Sequence, residues 1–123
     1  MKTKREYRGF LEDILDNAQK AIRFIEGVNF KDFKKNEEKI FAVIRALELI
    51  GEAAKHIPKF VRSKSPKVPW EEMSGMRNKL VHEYFGVDLK VVWKTLKKDI
   101  PPLIEEVGRI VENLNLTNIN NQS

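Results

Sequence analysis

Arg77, Asn78, His82 and Tyr84 fall within eight positions of one another, in the stretch MRNKLVHEYFGVD over residues 76–88. His82 is one of only two histidines in the chain. Histidine titrates near neutrality and so can take or give a proton, while arginine stays charged and grips a phosphate through paired N–H groups. Together they suit cleavage of an RNA phosphodiester. The ribose 2′-hydroxyl would be the nucleophile, His82 would handle a proton, and Arg77 would stabilise the charge that builds on a phosphorane-like transition state. The scheme calls for no metal or other cofactor. With no cysteine, two histidines and no clustered aspartates, the chain agrees with that route.

On a helix each residue turns by about 100°, so Asn78 and His82, at i and i+4, share a face. Asn78 is placed to hydrogen-bond the imidazole and set its tautomer. Arg77 and Tyr84 share the adjacent face with Val81. Arg77 and His82 then stand about 140° apart around the helix and about 7.5 Å along it, awkward for one compact site but workable in an elongated phosphate groove. A second copy of the same helix, from a dimer partner, would close such a groove.

The elements that must hold these residues read as helices. From Tyr7 the apolar positions Phe10, Leu11, Ile14, Leu15, Ala18, Ala21, Ile22 and Ile25 make one stripe, over a helix of about residues 4 to 26. Thr3 and Glu6 form a capping box at its start, and Gly27 can end it. A second stripe runs from Ile40 through Phe41, Val43, Ile44, Leu47, Ile50, Ala53 and Ala54 to Ile57, between a cap at Asn36 and Pro58. The segment PKFVRSKSPKVPW, with three prolines and two serines, predicts an irregular spacer with room for one short turn of helix. Pro69 starts a third helix that carries the reactive residues and ends near Gly86. Asp88 caps a fourth, whose stripe from Leu89 to Leu114 keeps its phase across Pro101 and Pro102, which predicts a kink rather than a break. The fold class is all-α, a bundle of four main helices filling one domain over residues 1–115. Residues 116–123 are too poor in apolar side chains to pack and are expected as a disordered tail.

Composition narrows the setting. At 123 residues a single small core is expected, and self-association would add burial. The absence of cysteine excludes disulfides and thiol catalysis, and no signal peptide or run of eighteen apolar residues is present, so a cytoplasmic protein with no membrane contact is expected. A net charge of +5 suits an anionic partner. Lys90, Lys94, Lys97 and Lys98 line the fourth helix opposite its apolar stripe, as candidate contacts to RNA phosphates or as ordinary solvated surface. His56 lies four residues after Glu52, a spacing that suits two metal ligands but lacks a third; a histidine favourably placed at a helix C-terminus is the plainer reading.

The quoted stretches carry a resemblance as well. RALELIGEAAKHIP, residues 45–58, and VPWEEMSGMRNKLVHEYFGVDLKVVW, residues 68–93, resemble the HepT-like toxins of the HEPN superfamily. The likeness covers nearly the whole chain, and its specific part is Arg-x4-His-x-Tyr, matched by Arg77, His82 and Tyr84, with the polar residue after the arginine matched by Asn78. It implies a four- or five-helix bundle that dimerises so that two such motifs face each other across a cleft. It also implies a metal-independent endoribonuclease, the toxin of a two-gene toxin-antitoxin module, with a supporting place for Glu52 beside the cleft. The implied partner is a minimal nucleotidyltransferase antitoxin that transfers AMP from ATP to the motif tyrosine, here Tyr84. Beside this stands a second reading, a non-catalytic helical adaptor that binds the nucleotidyltransferase through the same face. An arginine and histidine suited to proton transfer favour the enzyme.

Overall fold

This computed structural model describes residues 3–75 and 88–122, with side chains described as far as residue 116. Among the described residues every regular element is helical. Helix α1 (Lys4–Phe24) begins where the sequence places it: Thr3 and Glu6 exchange both bonds of the capping box, Thr3 N donating to Glu6 Oε2 at 2.8 Å and Glu6 N to Thr3 Oγ1 at 3.3 Å. Two orphan amides of the first turn are thereby satisfied. Past its end Gly27 sits at φ 74°, the left-handed region open to glycine, and turns the chain back.

A four-residue helix that the sequence reading does not contain comes next, α2 (Phe30–Phe33), with the Asn29 side chain accepting from Asp32 N at 2.9 Å. Its Phe33 is completely buried. Helix α3 (Glu37–Ala54) starts at the expected Asn36 cap, whose side chain accepts from Lys39 N at 3.1 Å. Lys39 Nζ in turn donates to Phe24 O at 2.8 Å, so one lysine ties the start of α3 to the end of α1. Phe41, counted in the apolar stripe of α3, instead lies 48 % exposed. It sits on the flank of the face defined by Val43, Ile44, Leu47 and Ile50.

The proline-rich spacer holds the single short turn it has room for, α4 (Lys59–Ser63). Residues 70–75 then form α5, whose first helical bond runs from Met73 N to Pro69 O at 3.0 Å. The remainder of the expected third helix, from residue 76, lies outside the described residues. After the Asp88 cap come α6 (Leu89–Lys94), a π-helical turn over Thr95–Asp99, and α7 (Ile100–Gln122).

The π turn is the physical form of the expected kink. Pro101 and Pro102 have no N–H to give to the carbonyls four residues back, and their rings crowd those carbonyls. One wider turn, closed by Ile100 N donating to Thr95 O, accommodates them. The stripe survives it: Val92, Leu96, Ile100, Leu103 and Val107 are all buried. At the far end α7 runs to Gln122, through the stretch read as a disordered tail. Leu116, the last residue with a described side chain, is 51 % exposed.

Helix α1 lies between α3 and α7 and packs against both. Leu11, Ile14, Ala18 and Ala21 from α1 meet Val43, Leu47, Ile50 and Ala54 from α3 and Leu103 and Val107 from α7 in one core. Full burial of each large aliphatic side chain contributes about 1.5–3 kcal/mol.

Candidate functional site

Arg77, Asn78, His82 and Tyr84 all fall in residues 76–87, outside the described residues. What the fold shows is how both ends of that segment are anchored. On the entering side Trp70 and Met73 are buried at 6 % and 4 % exposure, and Trp70 Nε1 donates to Ser65 O at 3.0 Å. The spacer and α5 therefore move as one piece. On the leaving side Asp88 Oδ1 accepts from Lys90 N at 2.9 Å, and Val92 drops into the core one turn later. The described residues on either side of positions 76–87 are thus held by the core and by a helix cap.

Glu52 and His56 are half-buried at the end of α3, with His56 Nε2 3.8 Å from Glu52 Oε1 and the other Glu52 oxygen buried. At that distance the contact is weak, and it is ionic only when the imidazole is protonated. The stronger relationship is with α1. The imidazole stacks on the Phe10 ring, centroids 4.4 Å apart and planes 15° apart. His56 is therefore more than the helix-terminal residue of the sequence reading: it clasps α3 to α1. Phe10, Asp13, Asn17, Leu49, Glu52 and His56 surround a shallow groove of about 270 Å³. Among the described residues no group of three or more His, Asp or Glu side chains is placed to hold a metal ion.

Lys90, Lys94, Lys97 and Lys98 are all exposed, but they do not all line one groove. Lys97 Nζ lies 5.1 Å from the centroid of the Trp93 ring and lines a groove shared with Arg23 and Gln19. Lys98 lines a different groove, with Lys67, Glu72 and Arg109. Consecutive residues of a helix point about 100° apart, which is enough to send these two neighbours to different grooves.

Sequence reasoning overlooked α2 as a contributor of cations and rings. Phe30 approaches Trp93 at 5.8 Å between centroids, and Lys34 Nζ sits 5.6 Å from the Phe30 ring. The signal was present in the alternation of phenylalanine and lysine over residues 30–34, in a segment too short to show a helical period.

Comparison with known proteins gives the same direction throughout. A family model described as "Ribonuclease HepT-like" matches residues 14–110, a span that includes residues 76–87. A relative in Thermococcus cleftensis, named "Probable ribonuclease HepT", is 49 % identical over 100 residues, covering 81 % of this chain and 91 % of its own. One in Caldanaerobacter subterraneus subsp. tengcongensis, named as a candidate RNase, is 46 % identical over 112 residues, covering 91 % and 97 %. Another so named, in Methanocaldococcus jannaschii, is 45 % identical over 111 residues, covering 90 % and 96 %. No solved structure matches the chain.

Proposed function

The chain belongs to the HepT-like ribonuclease family, and from that premise we propose that it is a metal-independent endoribonuclease whose reaction is carried by Arg77 and His82. The observation that supports this most is the Arg77-x4-His82-x-Tyr84 set lying inside the span that the ribonuclease model matches. In the proposed reaction the ribose 2′-oxygen forms a bond to the adjacent phosphorus and the bond from phosphorus to the 5′-oxygen breaks. The 2′-hydroxyl proton leaves to a base and the 5′-oxygen receives one, with His82 serving proton transfer. Arg77 stabilises the added charge on the phosphoryl oxygens, and Asn78 holds the imidazole in its working tautomer. The products are a 2′,3′-cyclic phosphate and a free 5′-hydroxyl.

The site is completed by a second copy of the chain. Two motif segments facing across a homodimer cleft resolve the 140° separation of Arg77 and His82 expected on one helix, since each phosphate can then meet residues from both copies. Glu52 supports the same cleft. The protein works in the cytoplasm as the toxin of a toxin-antitoxin pair, and its antitoxin is a minimal nucleotidyltransferase. That partner neutralises it by AMP transfer: the Tyr84 hydroxyl oxygen attacks the α-phosphorus of ATP, loses its proton and displaces pyrophosphate. The bound AMP places a phosphodiester charge where Arg77 would otherwise hold RNA.

The test is cleavage and growth inhibition by Arg77→Ala and His82→Ala proteins, with circular dichroism as the control for folding. Both activities should vanish while helicity stays. Cutting by His82→Ala protein at the wild-type rate overturns the assignment. Wild-type protein that binds the nucleotidyltransferase and cuts no RNA would favour the adaptor reading.

A further inference from the structure

An aromatic and basic surface lies away from the groove beside His56, where α2 meets α6. Phe33, fully buried, holds the Trp93 ring at 5.1 Å, and Phe30 meets the same ring at 5.8 Å. Phe30 and Trp93 are only partly buried. Each carries a lysine ammonium at its face, Lys34 over Phe30 at 5.6 Å and Lys97 over Trp93 at 5.1 Å. Lys31, Lys35, Lys90 and Lys94, in or next to the same two helices, are exposed, as is the acidic Asp32 within α2. From Lys97 the positive character continues into a groove of about 560 Å³ shared with Arg23, although Glu26 also lines it.

Lysines beside partly exposed rings form the combination that single-stranded nucleic acid uses. Phosphates meet the ammonium groups, and unpaired bases find a ring to stack on. Phe33 packs against the Trp93 ring and holds it in place, and a base that stacks on that ring takes the position of the Lys97 ammonium, which is then free to meet a phosphate. The surface also lies on the helix that leaves the reactive segment: Lys90 is six residues after Tyr84 in the chain.

We propose that α2 and the helix running from α6 into the π turn form a docking track for single-stranded RNA, with Lys34 and Lys97 contacting phosphates and Trp93 the stacking ring. This rests on the ribonuclease reading above, and extends it from the scissile phosphate to the flanking strand. Because the track lies outside the Arg77 and His82 motif, binding and cutting separate experimentally.

The probe is a fluorescein-labelled, fully 2′-O-methyl single-stranded RNA of mixed sequence, which cannot be cut through its 2′-oxygen. Anisotropy titrations over a range of salt compare the wild type with Lys34→Ala/Lys97→Ala. Lys55→Ala/Lys59→Ala, at two exposed lysines elsewhere, removes the same net charge. The track variant should bind roughly tenfold more weakly at 100 mM salt, and the slope of log affinity against log salt should shrink by about 1.4, corresponding to two single-strand phosphate contacts. Lys34→Arg/Lys97→Arg should restore both. His82→Ala should bind as wild type, so loss of the catalytic assignment leaves this inference standing. RNA should also shield tryptophan from acrylamide, and that shielding reports Trp93 because Trp70 is buried at 6 % exposure. Equal weakening in the two alanine pairs would reduce the effect to net charge and overturn the proposal. Unchanged RNA affinity with weakened binding to the nucleotidyltransferase would overturn it as well, and assign the surface to protein docking.

Discussion

The imidazole of His56 lies nearly flat on the ring of Phe10, 4.4 Å between centroids with planes 15° apart, joining the end of α3 to the first half of α1. Stacked pairs of this kind contribute about 0.5–1.5 kcal/mol beyond the area they bury. A double-mutant cycle on Phe10→Ala and His56→Ala, followed by urea unfolding, should return a coupling energy in about that range. Additive single effects would show the contact to be incidental.

The capping box at α1 gives a second prediction. Thr3→Ala removes the oxygen that accepts from Glu6 N and should lower stability by about 1 kcal/mol, whereas Thr3→Ser should leave it nearly unchanged. Chemical denaturation monitored by circular dichroism reads both. Equal stability for wild type and Thr3→Ala would mean that the first turn frays without cost.

The caps show how much of the fold was legible in the sequence. Thr3, Asn36 and Asp88 act locally, through an amide two or three residues away, and each was identified correctly. Helix α2 was missed because four residues carry no periodicity, and its existence depends on Phe33 reaching a core built by other elements. The proline pair announced a kink, but its form as a π turn follows from backbone geometry that a side-chain pattern does not encode. The stack of His56 on Phe10 joins residues distant in the chain and left no local sign. The proposed reactive set is legible only as a motif, because Arg77, Asn78, His82 and Tyr84 lie outside the described residues.

Phe33 offers a third prediction. It is fully buried and supports Trp93 at 5.1 Å, so Phe33→Ala should cost about 3–5 kcal/mol and leave Trp93 with weaker support. Denaturant unfolding gives the first effect, and a red-shifted tryptophan emission under native conditions the second. A loss below about 1 kcal/mol would show that α2 is dispensable to the core.

The proposed dimer predicts a solution mass of about twice 14.4 kDa. If each site draws residues from both copies, mixing Arg77→Ala with His82→Ala protein should return activity that neither has alone. A monomer at every accessible concentration would remove the composite site.

For Tyr84, incubation with the nucleotidyltransferase and ATP should add about 329 Da per AMP to the peptide spanning residues 80–90. Tyr84→Phe protein should stay folded and remain toxic in the presence of the antitoxin. Neutralisation of both proteins alike by a catalytically dead partner would show inhibition by docking alone.

The central claim is tested most directly by the chemistry of the cut ends. Purified protein is incubated in EDTA with 5′-labelled RNA, beside the same RNA with a deoxyribose at the scissile nucleotide and beside His82→Ala protein. The account predicts fragments ending in a 2′,3′-cyclic phosphate from wild-type protein on unmodified RNA, and no fragments in the other two reactions. Cleavage that stops in EDTA and returns with added metal, or that persists at the deoxyribose position or in His82→Ala protein, would contradict it.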